Sequence, residues 1–94
     1  MYNIKLIFMN INHLSEIIKK KISEKIDCKF LEVEDKTYLH LKHKTHSKDK
    51  FHIKLVLKSL ELSKLSKIQS TRIIYKILDE ELNSYIHSIQ IELI

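Results

Sequence analysis

Histidine is the residue type in this sequence that is best suited to do chemistry, since a neutral imidazole is the commonest metal ligand in proteins. The chain of 94 residues has six histidines, of which His40, His43 and His46 recur every third residue and His87 lies far along the chain. A structural zinc site usually needs four nitrogen or sulfur ligands, but the chain has a single cysteine, Cys28, and neither a CxxC nor an HxxxH pattern. One or two histidines that complete a site shared with a partner, as histidine can do for iron–sulfur clusters, are therefore a better hypothesis than a self-contained zinc site. Taken one by one, however, the loop histidines are more simply interpreted as polar surface residues, and His87 as a strand-edge imidazole with a satisfied hydrogen bond.

The residues that could support catalysis form no recognisable set. The chain contains no glycine and no proline, which excludes glycine-rich phosphate loops, dinucleotide-binding fingerprints and nucleophile elbows. Its serines lack a neighbouring base at a familiar spacing. Glu32 and Glu34 fall on the polar face of a predicted strand, where solvated charge is the simpler interpretation. The sequence therefore predicts a binding protein rather than an enzyme.

A nucleic-acid partner is the second hypothesis, because the net charge is +5 and a basic chain attracts polyanions. A short helix, a turn and a longer helix resemble a helix-turn-helix arrangement. Lys64, Lys67 and Arg72 would face phosphate in it, and the lysine-rich stretch 42–50 could bind phosphate nonspecifically. Arg72 is, however, the single arginine of the chain, and lysine is the weaker residue for bidentate recognition.

Periodicity predicts the elements that must position these residues. An amphipathic helix is expected over residues 12–25 with Asn12 as its N-cap, followed by a strand-like segment over 28–41 that is interrupted at residues 34–36. A polar loop over 42–50 leads to a strand over 51–58 that alternates cleanly, with Phe51, Ile53, Leu55 and Leu57 on one face.

The second half of the chain is predicted to contain two helices and a final strand. A short helix or turn over 59–67 precedes a second main helix, capped by Ser70 or Thr71 and ending near Ser84. Its apolar face is formed by Ile73, Ile74, Ile77, Leu78 and Leu82. A final strand places His87 on the face of Ile89, Ile91 and Leu93. The sequence thus predicts one α+β domain of αββααβ order, with a three-stranded sheet and helices packed on one face.

Several separated blocks of this sequence resemble the BolA family in the same order, from about Leu14 to Leu93. These blocks are Leu31-Glu32-Val33-Glu34-Asp35, Thr37-Tyr38-Leu39-His40, His52-Ile53-Lys54-Leu55-Val56-Leu57, Arg72-Ile73-Ile74-Tyr75 with Leu78 and Glu80-Glu81-Leu82, and Ile86-His87-Ser88-Ile89. The family's Arg-His-Arg at the start of the second main helix is Ser70-Thr71-Arg72 here, and its loop glycine is Lys64. The first departure weakens a DNA-binding role more than a metal-binding role, because it affects neither His87 nor His40.

The resemblance implies a fold similar to the second type of KH domain, over residues 11–94, with residues 1–10 as an N-terminal extension. It implies a monothiol glutaredoxin as partner and a 2Fe-2S cluster shared with that glutaredoxin and glutathione, and no cluster in the isolated chain. His87 would supply one ligand and His40 the second, with His43 and His46 as weaker alternatives; Cys28 does not match the cysteine-type members.

The expected setting follows from the same observations. A single cysteine fits a reducing compartment, so a cytoplasmic protein is expected, with a mitochondrial one as the alternative. No apolar run is long enough to span a membrane. The isolated chain is expected to be a monomer or a weak homodimer.

Overall fold

The computed structural model describes residues 9–37 and 50–94. The elements along the chain are α1 (Ile11–Lys25), β1 (Phe30–Asp35), β2 (Phe51–Lys58), α2 (Leu60–Ser63), α3 (Lys67–Ile77), α4 (Asp79–Ser84) and β3 (Ile86–Leu93). This order confirms the predicted α+β class and the αββααβ arrangement, with the second main helix divided in two. Within the described residues, no helix is long and apolar enough to cross a membrane.

The described strands form a three-stranded sheet in the order β1-β2-β3. β1 pairs with β2 antiparallel, whereas β2 pairs with β3 parallel. A parallel pair needs a crossover connection, and helices α2, α3 and α4 supply it. β2 is therefore the central strand, and the beginning of β3 lies beside the beginning of β2.

The core lies between one face of this sheet and the helices. Central-strand residues Ile53, Leu55 and Leu57 are buried on this face, as the alternation predicted. The remaining members of the buried apolar cluster come from the helices, their flanks and the start of β3: Leu14, Ile18, Ile22, Ile26, Leu62, Ile74, Leu78 and Ile86. The opposite face of β2 carries His52, Lys54 and Val56, so the two sides of the central strand have different chemistry.

The N-cap of helix α1 lies two residues earlier than the sequence predicted. Asn10, not Asn12, is the N-cap, since its side-chain oxygen accepts a hydrogen bond of 2.8 Å from the backbone N–H of His13. The prediction of Asn12 was wrong because both asparagines precede the apolar stripe, and only the local backbone decides which of them caps the helix.

Helix α3 also begins earlier than predicted, at Lys67. Ser66 is its N-cap and forms a capping box with Gln69, in which each side chain accepts a hydrogen bond from the other residue's backbone N–H. The predicted caps were wrong: Thr71 lies inside the helix, and Ser70 is fully buried with its hydroxyl donating to the backbone oxygen of Leu62 at 3.2 Å. The serine–glutamine spacing of the capping box marks the true start.

The second main helix is divided at Leu78, where one continuous helix was predicted. Leu78 has φ −98° and ψ 19°, and α4 begins at Asp79. The first turn of α4 contains Asp79, Glu80 and Glu81, and negative charges are favourable at a helix N-terminus. The acidic triplet thus stabilises a new helix start, and Tyr85 ends that helix immediately before β3.

Candidate functional site

The candidate site lies where β2 and β3 begin, because the pairing of the two strands is irregular there. Phe51 is opposite Ile86 and His52 is opposite Ser88, so the register skips His87. One residue without an opposite partner is the mark of a β-bulge, which re-aims side chains. His87 is exposed.

The bulge overturns the face that alternation predicted for His87. Counting from Ile89, Ile91 and Leu93 places His87 toward the core, but Ile86 is the residue that is buried there, with 3% of its surface exposed. Burying an isoleucine is favourable, whereas burying an imidazole without partners costs free energy. The register shift therefore brings Ile86 into the core and leaves His87 outside it.

His52 lies directly beside His87. The two ring centroids are 4.8 Å apart with the ring planes tilted by 47°. His52 is 5% exposed, and its Nδ1 shares a hydrogen bond of 2.7 Å with Oγ of Ser88. Sequence reasoning gave His52 no role. The signal that could have found it is the pairing of β2 with β3, which brings two histidines together across a long sequence separation.

The backbone of His52 also holds the end of β1. Its N–H donates to Oγ1 of Thr37 at 3.1 Å, and its carbonyl oxygen accepts from the N–H of Lys36 at 2.7 Å. The N–H of Thr37 donates in turn to a carboxylate oxygen of Asp35 at 2.9 Å. Residues 36 and 37, which precede the segment with the loop histidines, are thus fixed to the strand that carries His52.

The predicted second ligand lies outside the described residues. His40, His43 and His46 all belong to the segment 38–49, as does the extension of the predicted strand beyond residue 37. Their relation to His87 stays a prediction. His40 is three positions beyond Thr37 in the sequence, which makes it the first of the three histidines after the anchored end of β1.

The charged side chains near His52 form ion pairs. Lys36 lies 3.1 Å from a carboxylate oxygen of Glu34, and Lys54 lies 2.7 Å from one of Glu92. The hydrogen bond to Glu92 raises the pKa of Lys54 above its ordinary value. Both lysines border a shallow depression with His52 and Ser88 in its wall. His52 therefore lies beside paired charges of both signs rather than in an acidic cation site.

The described part of this site offers the exposed imidazole of His87 as a metal donor. In residues 9–37 and 50–94, no group of three or more His, Cys, Asp or Glu side chains could hold a metal ion. Cys28 is half-buried, and its burial raises the pKa of the thiol, which disfavours the thiolate that metals need. An exposed imidazole such as that of His87 can supply one ligand to a metal.

The residues of the DNA hypothesis lie on a separate surface, around the start of α3. Lys64, Lys67 and Arg72 are all exposed, and none forms an ion pair with another described residue. Lys67 and Arg72 border a shallow groove together with Ile68 and Tyr75. Ile68 is 65% exposed, so this basic surface has an apolar centre.

Comparisons with known proteins agree on one family. The family model described as BolA-like protein matches residues 22–94. A protein of Haemophilus influenzae named "DNA-binding transcriptional regulator BolA" is 32% identical over 80 residues, which cover 85% of this chain and 75% of that protein.

Solved structures agree with the family model. The BolA domain of SufE1 from Arabidopsis thaliana has a TM-score of 0.72 and 28% identity, covering 92% of this chain and 93% of its own. BolA1 from the same plant has a TM-score of 0.73 at 20% identity, covering 92% of each chain, and shows likeness of fold alone.

Proposed function

The chain belongs to the BolA-like protein family, and from that premise we propose that it is a binding adaptor that pairs with a monothiol glutaredoxin. In this proposal the two proteins share a 2Fe-2S cluster, in iron–sulfur cluster trafficking or iron-dependent regulation. The observation that carries the proposal is the bulge at the start of β3, which leaves the imidazole of His87 exposed beside a buried histidine. A ligand for a cluster on another protein must be reachable from outside, and His87 is.

The proposed division of ligands follows from what each protein can offer. The glutaredoxin cysteine and glutathione would hold one side of the cluster, and His87 would hold the other. His40 is proposed as the second ligand from this chain, with His43 and His46 as alternatives. Because one or two imidazoles do not retain a cluster by themselves, the isolated chain is expected to be colourless. We place the complex in the cytoplasm, with mitochondria as the alternative.

The test is coexpression with a monothiol glutaredoxin, followed by purification of the complex and its visible absorption and circular dichroism spectra. The expected result is a heterocomplex spectrum that differs from that of the glutaredoxin alone. His87→Ala should remove this difference. His13→Ala, which removes an imidazole from α1 instead, should leave it in place. A complex whose spectrum is the same with and without His87 would show that this residue is not a ligand.

DNA binding is the second candidate, favoured by two observations. Lys67 and Arg72 are exposed on α3 without ion-pair partners among the described residues, and the relative from Haemophilus influenzae is named a DNA-binding regulator. Each phosphate contact contributes about 0.9 to the slope of log affinity against log salt concentration. A Lys67→Ala, Arg72→Ala double variant should therefore reduce the steepness of that slope for duplex DNA by about 1.8, the contribution of two phosphate contacts. No binding of the wild-type chain at low salt would eliminate this candidate.

A further inference from the structure

We infer that His52 is a positioning residue, which fixes the ring of His87 and joins the start of β3 to the end of β1. The inference rests on the proposed role of His87 as a ligand, and it assigns to His52 no contact with the cluster itself. Three kinds of contact support it: a ring contact, a side-chain hydrogen bond and two backbone hydrogen bonds.

The ring contact restricts the side chain of His87. An exposed imidazole on an extended strand would sample several rotamers, and holding it in one of them costs conformational entropy. Here one side of the His87 ring lies against the ring of His52, at a centroid distance of 4.8 Å. That distance is within the range at which planar rings attract each other. The buried ring of His52 thus restricts the rotamers that the side chain of His87 can adopt.

The hydrogen bond to Ser88 fixes the orientation of the His52 ring. His52 is buried, and its Nδ1 is held by the hydroxyl of Ser88 at 2.7 Å. Ser88 is the residue immediately after His87, so the bond ties His52 to the strand segment that carries the proposed ligand. A movement of the bulge would break this bond. The bond therefore stabilises the register shift that exposes His87.

The backbone bonds of His52 extend the same unit to β1. Through the N–H and the carbonyl oxygen of His52, Thr37 and Lys36 are fixed beside the bulge. His40 follows Thr37 by three positions in the sequence. Because these bonds come from the backbone at position 52, they place Lys36 and Thr37 beside the strand whose imidazole contacts His87. A partner that binds both ligands gains affinity when this unit is ordered in advance.

The first experiment uses the apo protein and does not depend on the cluster. The imidazole proton resonances of His87 are recorded by NMR for the wild type and for Ser88→Ala, which removes the hydroxyl and leaves the His52 ring in place. Ser88→Ala should shift and broaden the His87 signals, and Ser88→Thr, which keeps a hydroxyl, should restore them. Gln90→Ala is the matched control, since Gln90 lies two residues further along the same face of β3.

His52→Ala is the direct variant, and it should abolish the ring-current shift of the His87 signals. Because it leaves a cavity beside the central strand, its folding must be checked by circular dichroism. Ser88→Ala keeps the inference testable if His52→Ala does not fold. His87 signals that are the same in wild type and Ser88→Ala would overturn the inference, whatever the partner of the chain is.

The second experiment measures the heterocomplex with glutaredoxin. Ser88→Ala should weaken the cluster-loaded complex by roughly threefold, the effect expected when one pre-ordered side chain becomes free. The visible spectrum should keep its shape, because His87 itself is present. If His87→Ala leaves the complex unchanged, the proposed function fails while the NMR result still decides the inference. If His87→Ala alters the complex and Ser88→Ala leaves both the NMR signals and the affinity unchanged, the inference alone is wrong.

Discussion

An ion pair between Lys21 of α1 and Glu81 of α4 stabilises the fold at the scale of individual residues. Nζ of Lys21 lies 2.6 Å from Oε2 of Glu81, whose side chain is 4% exposed, and 3.6 Å from a carboxylate oxygen of Glu80. The hydrogen bond to Glu81 raises the pKa of Lys21 above its ordinary value. Because α4 leads directly into β3, this pair also holds the helix that precedes His87.

Lys21→Met should lower the free energy of unfolding at neutral pH by about 2 kcal/mol, since it leaves the buried carboxylate of Glu81 without its charged partner. The folded-state pKa of Lys21 lies above the unfolded one, so the stabilisation is complete below the unfolded value and is lost as pH rises through the folded value. Urea unfolding should therefore give a difference in unfolding free energy between wild type and variant that is constant from about pH 7 to about pH 10 and narrows as the pH rises toward about 11. Lys20→Met, on the exposed side of α1, is the control. A difference that stays constant with pH would contradict this role.

The sequence indicated the residue type at the site but not its surroundings. His87 could be singled out because it stands at the head of an apolar strand. Its orientation could not, because strict alternation has no place for a bulge, and the bulge depends on the competition between Ile86 and His87 for the core. The contact of His87 with His52 depends on which strands pair, and that pairing is a property of the folded chain.

The helices show how local signals compete at the scale of elements. The apolar stripes predicted α1 and the α3–α4 region, since their periods are long and regular. The helix starts were misplaced because several cap-forming residues lie close together, and the division at Leu78 was missed because the apolar stripe continues across it. The acidic residues 79–81 indicate a helix start at this point, but the continuous apolar stripe favoured a single helix.

Ser66→Ala should destabilise the protein by about 1 kcal/mol, because it removes one side of the capping box of α3. Thr71→Ala, at one of the positions first expected to cap the helix, should change the unfolding free energy by less than about 0.5 kcal/mol. Denaturant titrations of both variants compare the two sites directly. Equal losses at Ser66 and Thr71 would contradict the assignment of the helix start.

The two functional hypotheses depend on two different surfaces of the molecule. The histidine site lies at the start of the β2–β3 pair, whereas the basic residues Lys67 and Arg72 lie on α3. Helix α3 contains no acidic residue, so its charge is available to an anionic partner without changing the histidine site. Variants at one surface can thus be tested without altering the residues of the other. The αββααβ frame was predictable from periodicity, but this separation required the three-dimensional arrangement.

The most direct test of the central claim is nitrogen coupling to the reduced cluster. This chain is labelled with ¹⁵N-histidine, assembled with unlabelled glutaredoxin and glutathione, and studied by electron–nuclear double resonance. We predict two strongly coupled ¹⁵N nuclei, one from His87 and one from a histidine of the segment 38–49; His87→Ala should remove one of them, and His13→Ala should keep both. A cluster without ¹⁵N coupling from this chain, or one whose coupling is the same after His87→Ala, would contradict the account.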